Sequence, residues 1–201
     1  MTPSLKIGIT GNIGSGKSIV STILRTLGIP VYDCDTEAKR LMQKDSTIRS
    51  RIVETFGKEC YTSHEELNRK HLANIIFNDT SALQKINNIV HPRVKEDFIN
   101  WSKKQKSTIV ALESAILFEA RLQDSVDKIV AIYADREICI QRICKRNNTT
   151  YNEALQRLDK QTSAEDIIAQ SQYAICNNPD TPLLPQINTF LAVIRNKRND
   201  K

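Results

Sequence analysis

Apolar and polar positions alternate from Leu5 to Thr10 and then give way to a glycine-rich stretch, which predicts a strand running into a loop. From Lys17 the spacing changes to threes and fours: Val20, Ile23, Leu24 and Leu27 form one apolar face, and Gly28 marks its stop. A short apolar run over residues 30–32 predicts a second strand with Asp33 and Asp35 at its carboxyl end. Polar helices follow, predicted near residues 37–43, 47–56, 68–77 and 81–104. In the last of these, Leu83, Ile86, Val90, Val94, Phe98 and Trp101 make a single stripe, with Trp101 read as core, and Pro92 within it predicts a kink or a fresh helix start at His91 and Pro92. Strand-like runs resume at 108–113 and 128–134, each followed by helical patterning. A last strand is expected at 173–176, a turn at 177–180 and a closing helix at 183–195.

This order, βαβ, a helical module, then β, β and α, indicates an α/β fold whose sheet is interrupted by a helical insert. A chain of 201 residues, 40% hydrophobic and 26% charged, has the composition of one globular unit and excludes global disorder. The net charge of +6 favours an anionic partner, a description that phosphate-rich metabolites satisfy as well as nucleic acid does. The first apolar run is too short for a secretory leader, and no stretch approaches the ~18 apolar residues of a membrane span. A cytoplasmic protein with no membrane partner is expected. Its five cysteines contain no CxxC, so they are read as reduced, mostly buried small apolar residues.

The chemistry begins with Gly11, Asn12, Ile13, Gly14, Ser15, Gly16, Lys17 and Ser18, which fit the pattern G-x-x-x-x-G-K-[ST] between a predicted strand and a predicted helix. Such a loop curls so that its backbone N–H groups point inward, and the helix that follows adds its positive dipole end, making a phosphate cradle. Lys17 is expected on the β and γ phosphates of a bound nucleotide and the Ser18 hydroxyl on Mg²⁺, with the amides of Ser18 and Ile19 continuing toward the α phosphate.

A cradle alone does not distinguish kinases from GTPases or switches. No N/T-K-x-D base-reading motif stands at a fitting place. Asp33 instead offers a carboxylate that can take the proton of an attacking hydroxyl, and Asp35 stands beside it; the competing reading of both is capping of the next helix. Arg142 and Arg146, four apart, share one helical face, and Arg157 follows in a second helical pattern, in a segment (136–160) with six basic and three acidic residues. This is what a phosphate-clamping lid needs, the competing reading being a solvated basic face. Glu113, ending the strand at 108–113, is a candidate to hold a Mg²⁺-bound water or the acceptor hydroxyl, or to cap a helix. His91 either touches substrate or caps the helix that Pro92 begins.

Five strings, IGITGNIGSGKS, VYDCD, IVHPRV, LESAILFEA and QRICKRNNTTYNEALQRLDKQ, together resemble the dephospho-CoA kinase family, over nearly the whole chain and in the family's order. The first is shared with many P-loop proteins; the set is specific. The resemblance implies ATP-dependent phosphorylation of the ribose 3′-hydroxyl of dephospho-CoA by a P-loop nucleotide-kinase-like parallel sheet flanked by helices. It implies a core of 1–35, 106–140 and 162–201, a helical substrate-binding insert of 36–105 and a lid of 141–161, in one compact monomeric unit acting on small molecules and not on nucleic acid. It puts the catalytic aspartate on Asp33, the lid arginines on Arg142, Arg146 and Arg157, and an asparagine near the adenine on Asn177. The chain departs from the family in Cys34 for a usual alanine, Glu113 for a usual aspartate and Asn12 for a common glycine. Two other readings stand beside this one: a nucleoside monophosphate kinase, which needs arginines rather than a carboxylate at the acceptor, and a nucleic-acid-binding P-loop ATPase, for which aromatic and basic interleaving is missing.

Overall fold

Leu5, Ile7 and Ile9 alternate with Lys6, Gly8 and Thr10 along β1 (Leu5–Thr10), yet its last four residues are all buried, as befits a central strand covered on both faces. The computed structural model describes residues 4–77 and 79–199. In it, β1 lies between β3 (Ile109–Glu113) and β4 (Lys128–Tyr133), with β2 (Val31–Asp33) beyond β3 and β5 (Tyr173–Cys176) beyond β4. β1 runs parallel to both neighbours, Ile9 pairing with Glu113 and with Val130, and β4 runs parallel to β5, where Tyr133 pairs with Cys176. Parallel strands end on one edge, so the loops that leave β1, β3, β4 and β5 gather there.

The chain divides into two compact units, Met1–Val31 with Gln105–Lys201 and Tyr32–Lys104, the first boundary falling inside β2. No helix among the described residues is long and apolar enough to cross a membrane.

In the first unit, α1 (Lys17–Thr26) buries Val20 and Leu24 in a core with Ile7, Ile9, Ile132 and Ile175. It stops as predicted: Gly28 turns left-handed at φ 79°, its N–H reaches the Arg25 carbonyl, and the Ile29 N–H reaches the Leu24 carbonyl, the double bond of a Schellman motif. The same device explains a difference from expectation after β3. The segment reads as helical, but Arg121 takes φ 53°, the Leu122 N–H bonds the Leu117 carbonyl and the Arg121 N–H that of Phe118, closing the chain after one turn. Only a short 3₁₀ turn, Gln123–Ser125, precedes β4. Beyond β4, α6 (Arg136–Asn147) and α7 (Tyr151–Asp159) share a small core of Cys139, Ile140, Ile143, Ala154 and Leu158. A reciprocal cap between Thr150 and Glu153 starts α7, and α8 (Ala164–Ala169) follows. The closing helix α9 (Leu183–Asn199) seats Ile187, Phe190, Leu191 and Ile194 on the sheet.

The second unit is helical: α2 (Cys34–Lys44), α3 (Ser46–Phe56), α4 (Arg69–Phe77) and α5 (Thr80–Lys103). Its core sets Ile48, Ile52 and Phe98 beyond the reach of solvent. Tyr32 meets Phe98 and Trp101 edge-on, each at 5.4 Å, and its hydroxyl donates to Asp97 at 2.7 Å; burial and that carboxylate together push the phenol far up. Helix α5 corrects two expectations. It runs unbroken through Pro92, so no fresh helix starts there and His91 lies in a helix interior, not at a cap; the N-cap is Asp79, which accepts from Ser81 and Ala82. Pro92 costs one backbone bond, but Ile86, Ile89, Val90, Val94 and Phe98 pack on both sides of it and hold the helix through the gap. Leu83 is 42% exposed and leaves the predicted stripe, while Ala82 and Ile89 enter the buried face. None of the five cysteines is in a disulfide, and three of them are buried.

Asp45 does two things at once: it caps α3 through the Ile48 N–H at 2.9 Å and receives Arg93 at 2.6 Å. Burial would raise its carboxyl, but the Arg93 guanidinium and the Ile48 N–H outweigh that and hold it below the usual carboxylate range. A depressed folded-state value stabilises the fold above the unfolded-state pKa, about 3.9, and that contribution disappears as pH falls through the folded value. Urea unfolding should therefore show Asp45→Asn less stable than the parent at pH 7, with the gap narrowing as pH falls below about 4. A gap that stays constant across that range would contradict the coupling.

Candidate functional site

The loop between β1 and α1 is built from backbone that leaves no room for side chains. A Cβ on Gly11 would stand 2.0 Å from the Ile132 carbonyl oxygen, and one on Gly16 would stand 1.9 Å from Asn177 Nδ2, both at positive φ. Glycine is the residue that fits there. Gly16 is the N-cap of α1 and no side chain caps the helix, so the positive end of its dipole opens on the loop. Lys17 folds over the same hollow, its ammonium donating to the carbonyls of Gly11 at 2.7 Å and Asn12 at 3.1 Å. Ser15 lies buried at the turn, with a hydroxyl that has no hydrogen-bond partner among the described residues.

Around this loop the first unit assembles several of the residues singled out from the sequence. The Ser18 hydroxyl is 3.4 Å from Glu113 Oε1. Arg142, half-buried on α6, donates to the Gly14 carbonyl at 3.3 Å and to the Asn177 carbonyl at 2.8 Å. Asn177, just past β5 and 6% exposed, donates its Nδ2 to the Ser15 carbonyl at 2.8 Å. Arg142 and Asn177 thus grip the loop and each other, which joins β1, α6 and β5 at one point. Arg146 is exposed and bonds the neighbouring Asn147, and Arg157 is exposed on α7, so neither shares in this grip. The Ile19 N–H donates to the Gly16 carbonyl at 3.0 Å in the first turn of α1.

The chemistry of this corner suits an oxygen-seeking divalent cation. A hydroxyl and a carboxylate stand together, and Mg²⁺ ordinarily takes one or two such ligands with phosphates and waters. No cluster of three or more His, Cys, Asp or Glu able to cage a metal occurs among the described residues.

The remaining candidates belong to the second unit. Asp33, half-buried, is the N-cap of α2: Oδ1 accepts from the N–H groups of Asp35 at 3.0 Å and Thr36 at 3.2 Å, and Oδ2 accepts from the Thr36 hydroxyl at 3.0 Å. The capping alternative is therefore realised for Asp33, and three donors orient its carboxylate. Asp35 is exposed in the first turn of α2 rather than at a strand end. His91 is half-buried, and burial lowers its imidazole pKa, favouring the neutral ring.

Sequence reasoning passed over Gln161 and Thr162, in the connection from α7 to α8. The Ile13 N–H donates to Gln161 Oε1 at 2.7 Å, Asn12 Nδ2 donates to the Thr162 carbonyl at 2.8 Å, and the Thr162 hydroxyl donates to Glu119 at 2.7 Å. Nothing local marks these residues, since an amide and a hydroxyl after a helix are ordinary loop polarity.

Comparison with known proteins agrees with this architecture. The family model described as dephospho-CoA kinase matches residues 5–182. A dephospho-CoA kinase of Bacteroides fragilis is 40% identical over 195 residues, covering 96% of this chain and 95% of the relative. Among solved structures, that of TT1252 from Thermus thermophilus is 27% identical with a TM-score of 0.80, covering 98% of each chain. The dephospho-CoA kinase from Campylobacter jejuni, 22% identical over 94% of this chain and 95% of its own, shares the fold with a TM-score of 0.67. With a family match across the phosphate loop, the helical unit and the last strand, and a close relative spanning nearly its full length, the chain belongs to the dephospho-CoA kinase family.

Proposed function

We propose that the chain transfers the γ-phosphoryl group of ATP to the ribose 3′-hydroxyl of dephospho-CoA, giving coenzyme A and ADP. The observation that carries the reading is the glycine loop with Lys17 folded over it and Arg142 and Asn177 gripping it, in a chain of this family. The family match disfavours the nucleoside monophosphate kinase reading, and nothing supports action on a polyanion.

In this proposal the loop amides and Lys17 bind the β and γ phosphates, and Arg142 neutralises charge as it shifts from the γ-phosphoryl group to the leaving oxygen. Arg146 and Arg157 form the solvent-facing part of a lid spanning 141–161, and Asn177 lies toward the adenine. Ser18, with Glu113 beside it, would hold a divalent cation carried by the nucleotide. When bound, that ion would supply neutralisation of phosphate charge. Asp33 orients the 3′-hydroxyl and accepts its proton as the new O–P bond forms and the bond to the ADP oxygen breaks. Asp35 and His91 contribute to holding the acceptor. The enzyme works as a cytoplasmic monomer on these two small molecules, without a nucleic-acid or membrane partner.

Radiolabelled γ-phosphate from ATP should appear on dephospho-CoA and not on a panel of nucleoside monophosphates or an oligonucleotide; label on a monophosphate instead would overturn the assignment. Asp33→Asn separates the two jobs of Asp33, because asparagine caps a helix about as well as aspartate does but cannot take the proton. Turnover should fall by roughly 10²–10⁴ while the melting temperature and ATP affinity stay near those of the parent. Turnover within a few-fold of the parent would leave Asp33 a cap only.

A further inference from the structure

The loop's glycines, at 11, 14 and 16, give it conformational freedom as well as room, and that freedom must be taken away for its amides to face one phosphate geometry. The sheet edge, Asn177 and Arg142 hold its flank from Gly14 onward. Its apex, Asn12 and Ile13, is held elsewhere, by the connection that ends α7.

We infer that Gln161 and Asn12 are positioning residues for nucleotide binding, a clasp that fixes the apex of the phosphate loop. The two contacts are reciprocal. The loop lends a side chain to the connection's backbone, Asn12 Nδ2 to the Thr162 carbonyl at 2.8 Å, and the connection lends a side chain to the loop's backbone, Gln161 Oε1 to the Ile13 N–H at 2.7 Å. Partners 150 and 148 residues apart in sequence meet within a single two-residue stretch on each side. Asn12 is 6% exposed, so its amide is committed to this bond rather than shared with water. The connection is itself anchored: the Gln161 N–H bonds the Leu158 carbonyl at 3.1 Å, and the Thr162 hydroxyl bonds Glu119 at 2.7 Å.

The consequence is a register for the cradle. The Ile13 amide is engaged by Gln161 and the Ser15 amide by the Asn12 carbonyl at 3.2 Å, so the loop is presented to an anion in one orientation. Neither Gln161 nor Asn12 does chemistry. Each acts through the backbone it holds, and because that connection also carries α7, the loop's shape is tied to the placement of α7.

The inference rests on the reading of this loop as the ATP site, and the test keeps the two apart. In the full chain, Gln161→Met keeps the length of the side chain and removes its acceptor, and Asn12→Ala removes the other half. Each should raise the KM for ATP, and the calorimetric Kd for ATP, by about three- to tenfold, the range one lost hydrogen bond allows. The KM for dephospho-CoA should stay within twofold and the melting temperature within a few degrees. An ATP KM and Kd within twofold of the parent, or a lowered melting temperature with unaltered ATP constants, overturns the clasp as a positioning device. If Gln161→Met does not fold, Asn12→Ala decides by the same criterion. A parent protein that neither binds nor uses ATP refutes the function itself, whereas an active parent with unaffected variants refutes only the clasp.

Discussion

The site depends on one close approach of backbone to side chain. Asn177 Nδ2 sits 1.9 Å from where a Cβ of residue 16 would be, and from that position it holds the Ser15 carbonyl at 2.8 Å. The glycine at 16 makes the approach possible. The burial of Asn177 at the end of β5 makes it rigid, and its own carbonyl then receives Arg142. Three elements far apart in the chain are fixed at one point by the side chains of Asn177 and Arg142 donating to main-chain carbonyls, and α1 begins there with its dipole uncapped. An anion site made this way comes largely preorganised, because fixed amides and a helix end need little reorganisation when charge arrives or moves.

The helical unit uses a different device. Three of its helices begin at an aspartate whose carboxylate takes the first free amides: Asp33 for α2, Asp45 for α3 and Asp79 for α5. In Asp45 the capping carboxylate also pairs with Arg93, joining α3 to α5. In Asp33 it sits at the end of β2, and the capping bonds that stabilise α2 aim the carboxylate as well. Structural and proposed chemical roles coincide in one group, and substitution by asparagine keeps the first while removing the second.

What the sequence made legible follows the range of the interactions involved. The phosphate loop is readable because all eight of its positions are contiguous, although the contacts that demand glycine at 11 and 16, to Ile132 and Asn177, are distant in sequence. The strands were readable because burial on a parallel sheet imposes apolar runs. Helix α5 was readable in extent but not in continuity: Pro92 is a local breaker, and the packing of Phe98 and Val94 that overrides it is not local. The segment after β3 reads as helix from its patterning, whereas a left-handed Arg121 ends it after one turn. The sequence singles out Arg142, and family resemblance alone singles out Asn177; that the two meet at the loop is visible only in the structure. Nothing singles out Gln161 and Thr162, because bonds spanning about 150 residues leave no mark on the residues around them.

The central claim is that the close approach at residue 16 makes the nucleotide site, and Gly16→Ala tests it most directly by calorimetric titration with ATP. The substitution puts a methyl group 1.9 Å from Asn177 Nδ2 on a backbone at φ 97°. The account predicts a protein that still melts cooperatively but binds ATP at least tenfold more weakly than the parent, with Asn177 displaced from the loop. ATP affinity within twofold of the parent in the folded variant would contradict it.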